Sequence, residues 1–307
     1  MVAQVEAIER VLQHSGHSCV RLPFTRDVQG FSQSFKEHMP DIVFNLCETV
    51  DEDAHLIWHA AAVLELLGTP FTGSTSAALM LTSDKLLTKR LLKAREIRTP
   101  NYMVYDGSRG FSSALLKFPV IVKPRFEDAS IGIDQESIFE NEQVLRQGLE
   151  QFLSRFGPVL VEDYIPGREF NITLLGYPAA RTLPIAEIDF STFPENLYPI
   201  VGYRAKWEKT SFEYHHTPRM FPQNLPQWLS SKLERLALEC FHLFMVKDYG
   251  RVDMRVDDHG KIYVLEVNAN PCLSPDAGFA ASAQEAGLDY SETIGMIAAF
   301  AMQRGIR

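Results

Sequence analysis

Asp253, Glu266 and Asn268, with Arg251 close by, are the residues whose types and spacing most directly imply chemistry. They lie in Gly250-Arg251-Val252-Asp253-Met254-Arg255 and Tyr263-Val264-Leu265-Glu266-Val267-Asn268, separated by Asp257-Asp258-His259-Gly260. Two alternating stretches around such a turn predict an antiparallel hairpin. Val252, Met254 and Val256 then share one face and Asp253 and Arg255 the other, while Glu266 and Asn268 fall two apart on the second strand. Two carboxylates and an amide oxygen are a hard donor set suited to Mg²⁺, which binds through one or two carboxylates plus substrate phosphates. A charged, solvated hairpin face is the alternative.

Further candidates lie upstream. The apolar run 118–122 delivers Lys123 at its end, where a phosphate partner suits it better than a solvated surface. The loop 125–133 carries small residues, among them Ala129, Ser130 and Gly132, which let backbone N–H groups approach an anion. Glu127 and Asp128 there would repel a triphosphate unless they turn away or face a cation. Glu162, Tyr164 and Ile165 fit either an adenine pocket or an ordinary strand with its acid on the wet face. His55 and His59 stand four apart without the HExxH pattern or a third ligand, and read as ordinary histidines.

These residues need elements to hold them. Apolar periodicity predicts a helix over 2–14 closed by Gly16, and strands over 19–22 and 41–46. A helix over 53–67 and a short strand over 69–73 follow. A doubly wound domain normally opens on a strand; this one begins on a helix, so its first strand is expected to be absent. Ser83 is expected to cap the next helix, with a domain boundary near 81–85. Further on we expect a helix over 141–155, sheet strands over 158–165, 168–175 and 184–190, and helices over 230–246 and 291–303. The irregular, aromatic stretch 191–222, holding Lys206-Trp207, reads as a lid. The expected division is 1–82, 83–165 and 166–307, mixing α/β and α+β architecture.

At 307 residues the chain exceeds what one core normally supports. A hydrophobic share of 46% with 22% charged residues indicates a soluble globular protein. A net charge of −9 argues against a nucleic-acid surface. No apolar run reaches membrane length and no signal segment opens the chain. Cys19, Cys47, Cys240 and Cys272 are widely spaced, so neither a disulfide framework nor a zinc site is expected, and a reduced, cytoplasmic setting is.

Phe44-Asn45-Leu46, Phe71-Thr72-Gly73-Ser74, Asp84-Lys85, Val122-Lys123-Pro124, the run from Val161 to Glu169, Gly250-Arg251-Val252-Asp253 and Leu265-Glu266-Val267-Asn268 occur in that order. The series resembles the D-alanine–D-alanine ligase branch of the ATP-grasp superfamily. The resemblance implies an ATP-grasp fold: a small doubly wound N-terminal domain and two α+β subdomains clasping ATP. It implies Lys85 and Lys123 on the phosphates, Glu162 with Tyr164 and Ile165 at adenine, Glu169 at the ribose, and Lys206 at the γ-phosphate. Asp253, Glu266 and Asn268 would hold two Mg²⁺ ions, with Mn²⁺ an alternative. A carboxylate would attack the γ-phosphorus to give an acylphosphate, from which an amine displaces phosphate. Arg251 and the backbone N–H of Cys272 match the positions that stabilise the oxyanion. A homodimer is the family's habit.

The departures concern the amino-acid-reading parts. The family's N-terminal glycine-rich segment with its ammonium-gripping glutamate is missing. Its phosphate loop has Gly-Ser-Ser where this chain has Asp128-Ala129-Ser130. Its lid Lys-Tyr is Lys206-Trp207, and the glycine after the metal-site proline is Cys272. Asp276 would either supply a replacement carboxylate for a substrate amine or cap a helix. The expectation is an ATP-dependent carboxylate–amine ligase acting on amino acids or peptides other than D-alanine. The rivals are genuine D-alanine use, a kinase that stops at phosphate transfer, and a nucleotide-binding module without turnover.

Overall fold

A computed structural model describes residues 2–108 and 112–305. Two antiparallel sheets carry the site. The first holds β1 (Tyr102–Tyr105), β2 (Val120–Pro124), β3 (Ile138–Phe139) and β4 (Val159–Asp163) in the order β1-β4-β2-β3. Val120, Val122, Val159 and Val161 point to one face and pack on Leu145 and Leu149 of the Glu142–Phe156 helix, which Asn141 caps through Val144 N–H.

The second sheet holds β5 (Arg168–Leu175), β6 (Arg181–Thr182), β7 (Ala186–Ile188), β8 (Arg219–Met220), β9 (Tyr249–Val256) and β10 (Ile262–Asn268). Its order is β10-β9-β5-β7-β8, with β6 on β5. Phe170, Ile172, Val252, Met254, Val264 and Val267 form its dry face against the Gln227–Leu243 helix. The hairpin turn is as expected: Asp257 Oδ1 accepts from His259 and Lys261 N–H, and Gly260 takes φ +71°.

Within residues 2–82 the expected helices at Val2–His14 and Trp58–Leu67 are present, the latter preceded by a 3₁₀ turn at Ala54–Leu56. The expected strands over 19–22 and 41–46 are not. Neither segment forms a ladder, and among the described residues the only parallel pairing is a bridge between Val43 and Phe71. A ladder needs a neighbour at the right distance, and 19–22 has none alongside. The Val28–His38 and Ser76–Ser83 helices were not expected. The first buries only Phe31 and Phe35, too thin a stripe to read. The second displaces the expected cap: Ser83 ends it, and Asp84 caps Lys85–Ala94 by accepting from Leu86 and Leu87 N–H.

The lid region is partly ordered into helices at Tyr203–Trp207 and Phe212–His215 and into β8. Among the described residues no helix is long and apolar enough to cross a membrane.

Candidate active site

Strict alternation in β10 would put Glu266 and Asn268 on the dry face with Ile262 and Val264. The register shows otherwise. Val264 pairs with Met254, but Glu266 pairs with Asp253 and Asn268 with Arg251, so a β-bulge at Leu265 intervenes. The extra residue turns both polar side chains to the wet face. The bulge is held from outside the hairpin. Lys89 Nζ donates to Leu265 O at 3.3 Å, and Thr99 Oγ1 to Val264 O at 2.8 Å. β5 continues the polar floor, with Glu169 opposite Arg255, Asn171 opposite Asp253 and Thr173 opposite Arg251.

On that floor Arg251 grips Asp253 with a two-pronged bond, Nε to Oδ1 at 2.7 Å and Nη2 to Oδ2 at 2.8 Å, and Asn171 Nδ2 also donates to Oδ1. Glu266 makes no hydrogen bond or ion pair among the described residues. Burial pushes its carboxyl upward, but Lys85, Lys206, Arg251 and Lys123 outweigh it and hold it below the usual carboxylate range. Asn268 Oδ1 accepts from Asn270 N–H at 2.9 Å. No group of three or more acids, histidines or cysteines gathers among the described residues. Two carboxylates and an amide oxygen on one face, with lone pairs left over, nevertheless fit a hard cation in donor chemistry.

The cations come from the Lys85–Ala94 helix, from β2 and from the Tyr203–Trp207 helix. Lys85 Nζ donates to Glu127 O and lies 3.6 Å from Asp128. Desolvation, opposed by Lys85 and aided by Glu266, pushes Asp128 up to about 6. Lys123 does not project freely. It lies 3.0 Å from Glu162, which is 1% exposed and takes Lys89 on its other oxygen at 3.2 Å. Burial pushes the Lys89 ammonium down to about 8. Lys206 has no bonded partner among the described residues, and burial together with Arg251 lowers its pKa.

Arg255 organises the neighbouring corner, a role the sequence did not reveal. It bonds Glu169 Oε2 at 2.9 and 3.1 Å, Ile165 O at 2.8 Å and Pro199 O, and lies over the Tyr164 ring at 5.2 Å. Three residues expected at a nucleotide therefore meet on one guanidinium. Lys89 and the Asp84–Arg125 pair, at 2.6 and 2.8 Å, also escaped the sequence reading. For Lys89 the signal was a cation on the buried face of the Lys85–Ala94 helix; for Asp84 it was an acid just before that helix.

The loop and lid are latched together. Ser130 Oγ donates to Val201 O at 2.8 Å, Trp207 Nε1 to Ala129 O at 2.9 Å and Tyr203 N–H to Ile133 O at 2.7 Å. Ala129 and Ser130 both sit at positive φ, 55° and 63°. Cys272 Sγ donates to Gln4 Oε1 at 2.9 Å, which also accepts from Leu273 N–H. Asp276 is exposed, bonds nothing among the described residues and caps no helix, since Ala277 precedes the Gly278–Glu285 helix. His55 packs on Phe126 and His59 bonds Leu56 O, so the pair does not act together.

Residues 94–298 match the family model described as D-ala D-ala ligase C-terminus. An uncharacterized protein, y4sG, of Sinorhizobium fredii is 31% identical over 97% of this chain and 87% of its own length. A D-alanine–D-alanine ligase of Pseudoalteromonas translucida is 33% identical over 75% of this chain and 71% of its own, and one of Aquifex aeolicus 29% identical over 95% and 92%. The crystal structure of a D-alanine–D-alanine ligase from Bacillus anthracis complexed with ATP superposes with a TM-score of 0.76 at 22% identity, covering 99% of this chain and 94% of that one.

Proposed function

The chain belongs to the D-alanine–D-alanine ligase family, with its ATP-grasp fold, and is an ATP-dependent carbon–nitrogen ligase; from that premise we propose that it joins amino acids or peptides other than a D-alanine pair, through an acylphosphate. The observation that carries this is the latch. Ala129 and Trp207 stand where the family carries a serine and a tyrosine hydroxyl, and here the Trp207 ring N–H bonds the Ala129 carbonyl while Ser130 bonds Val201 O. Alanine and indole at 129 and 207 remove the hydroxyls that would read an alanine.

In this reading residues 83–165 and 166–307 close on ATP beneath the lid 191–222, and residues 1–82 wall the substrate side. Lys85, Lys123 and Lys206 neutralise the phosphates, Glu162, Tyr164 and Ile165 face adenine and Glu169 the ribose. Asp253, Glu266 and Asn268 would hold Mg²⁺, which supplies charge stabilisation at the transferring phosphoryl group. Arg251, kept charged by Asp253, and the Cys272 N–H lie where an oxyanion develops. The Trp207 latch excludes water from the acylphosphate. We place the enzyme in the cytoplasm as a homodimer, which light scattering measures. Phosphate release screened over D- and L-amino acids and dipeptides tests the proposal. Turnover with D-alanine alone would return the chain to its relatives' substrate, and ATP turnover indifferent to every amine would reduce it to a phosphotransferase.

A further inference from the structure

Arg219 is the guanidinium of this site without a carboxylate of its own. The other guanidiniums of the floor are matched, Arg251 by Asp253 and Arg255 by Glu169, and Lys85 and Lys123 lie beside Asp128 and Glu162, while Lys206, like Arg219, has only the field of nearby acids. Arg219 stands in β8 at the end of the lid, its backbone paired with Ile188 and its side chain bonded to nothing among the described residues. Its guanidinium lies against Gly278, the first residue of the Gly278–Glu285 helix. An added Cβ at 278 would meet Nη2 at 2.7 Å, Cζ at 3.0 Å and Nε at 3.2 Å. The missing side chain lets the guanidinium rest against the start of that helix. Partial desolvation and the nearby Arg251 charge lower its pKa, and Asp253 opposes them. Two guanidiniums thus share the field of one carboxylate.

Resting on the ligase reading, we propose that Arg219 selects an amine acceptor carrying a second carboxylate, an acidic amino acid or a peptide bearing one. The argument is charge balance. Arg219 is exposed and its fork is open; a neutral-side-chain amino acid is a zwitterion that brings no second carboxylate to fill it. An amino-dicarboxylate brings one net negative charge and two oxygens that fit the guanidinium fork. Arg251 cannot substitute, because Asp253 already fills its fork.

The test uses the full chain with Mg²⁺ and a non-hydrolysable ATP analogue. Binding of aspartate and glutamate, in both configurations, is measured by calorimetry against asparagine, glutamine and alanine. The expected result is a preference of about tenfold or more for the acids over their amides, lost in Arg219→Met, partly kept in Arg219→Lys and weakened in Gly278→Ala. ATP affinity should be unchanged in all three. Equal binding of acids and amides by the unmodified protein, or an Arg219→Met effect on ATP alone, overturns the inference. Phosphate release separates the two levels. If no amino acid stimulates it, the ligase reading fails while the binding preference still decides the role of Arg219.

Discussion

Four cations lower the pKa of Glu266 and none bonds it, which makes it the acid on which the proposed chemistry would turn. Glu266→Gln removes the charge and keeps the shape. We expect kcat to fall by about a hundredfold or more with circular dichroism unchanged; a variant keeping half its turnover would remove Glu266 from the machinery. Asp84 shows a structural use of the same electrostatics. Burial opposes ionisation, but Arg125 and the capped N–H groups win and hold its pKa below the ordinary 3.8. A depressed carboxyl stabilises the fold above that ordinary value and loses the contribution as pH falls through the lower native one. Asp84→Asn keeps a helix cap and loses the ion pair, so urea titrations should show a deficit of about 1–3 kcal/mol at pH 7. The deficit should vanish in strong acid. A gap independent of pH would mean the pair is not its source.

At the scale of elements, the hairpin was legible as two strands, and so was the gathering of Asp253, Glu266 and Asn268 on it. The bulge was not. The apolar parity passes from Ile262 and Val264 to Val267, a shift that marks an inserted residue, but one odd position among seven is easily read as noise. The clamp on the bulge is non-local, since Lys89 and Leu265 are 176 positions apart. The same limit explains the segments 19–22 and 41–46: short apolar runs predicted strands, while pairing depends on neighbours that local pattern does not contain. The lid was read from composition alone, and its short helices and latch emerged only with the loop against it. Lys89→Met should loosen both the bulge and Glu162, lowering stability by about 3 kcal/mol in denaturant titration; an unchanged midpoint would deny Lys89 that role. Trp207→Phe keeps the ring and loses the bond to Ala129 O. We expect faster protease cleavage within the lid and more phosphate released per ligated product, and a coupling ratio equal to the unmodified enzyme's would mean the latch is idle.

Across the molecule, apolar packing is continuous in one direction and separate in another. Phe31, Phe35 and Leu64 share a cluster with Phe170, Leu233 and Val252, while Val120, Leu145 and Val161 form their own. Hydrogen exchange should therefore resolve two opening units, with β2 and β4 exchanging apart from β5 and β9. One common protection level over both sheets would contradict it. A last feature joins distant chain segments below the hairpin. Asp248, 1% exposed, accepts from Gly73 N–H at 2.8 Å and from Arg304, which also donates to Phe71 O at 2.5 Å. During synthesis, domains tend to fold from the N-terminal side first. Asp248 then emerges 56 positions before its counter-ion. Until Arg304 is made Asp248 has the Gly73 N–H but no counter-ion, so the base of the hairpin is expected to lock only once the Tyr290–Gly305 helix is in place.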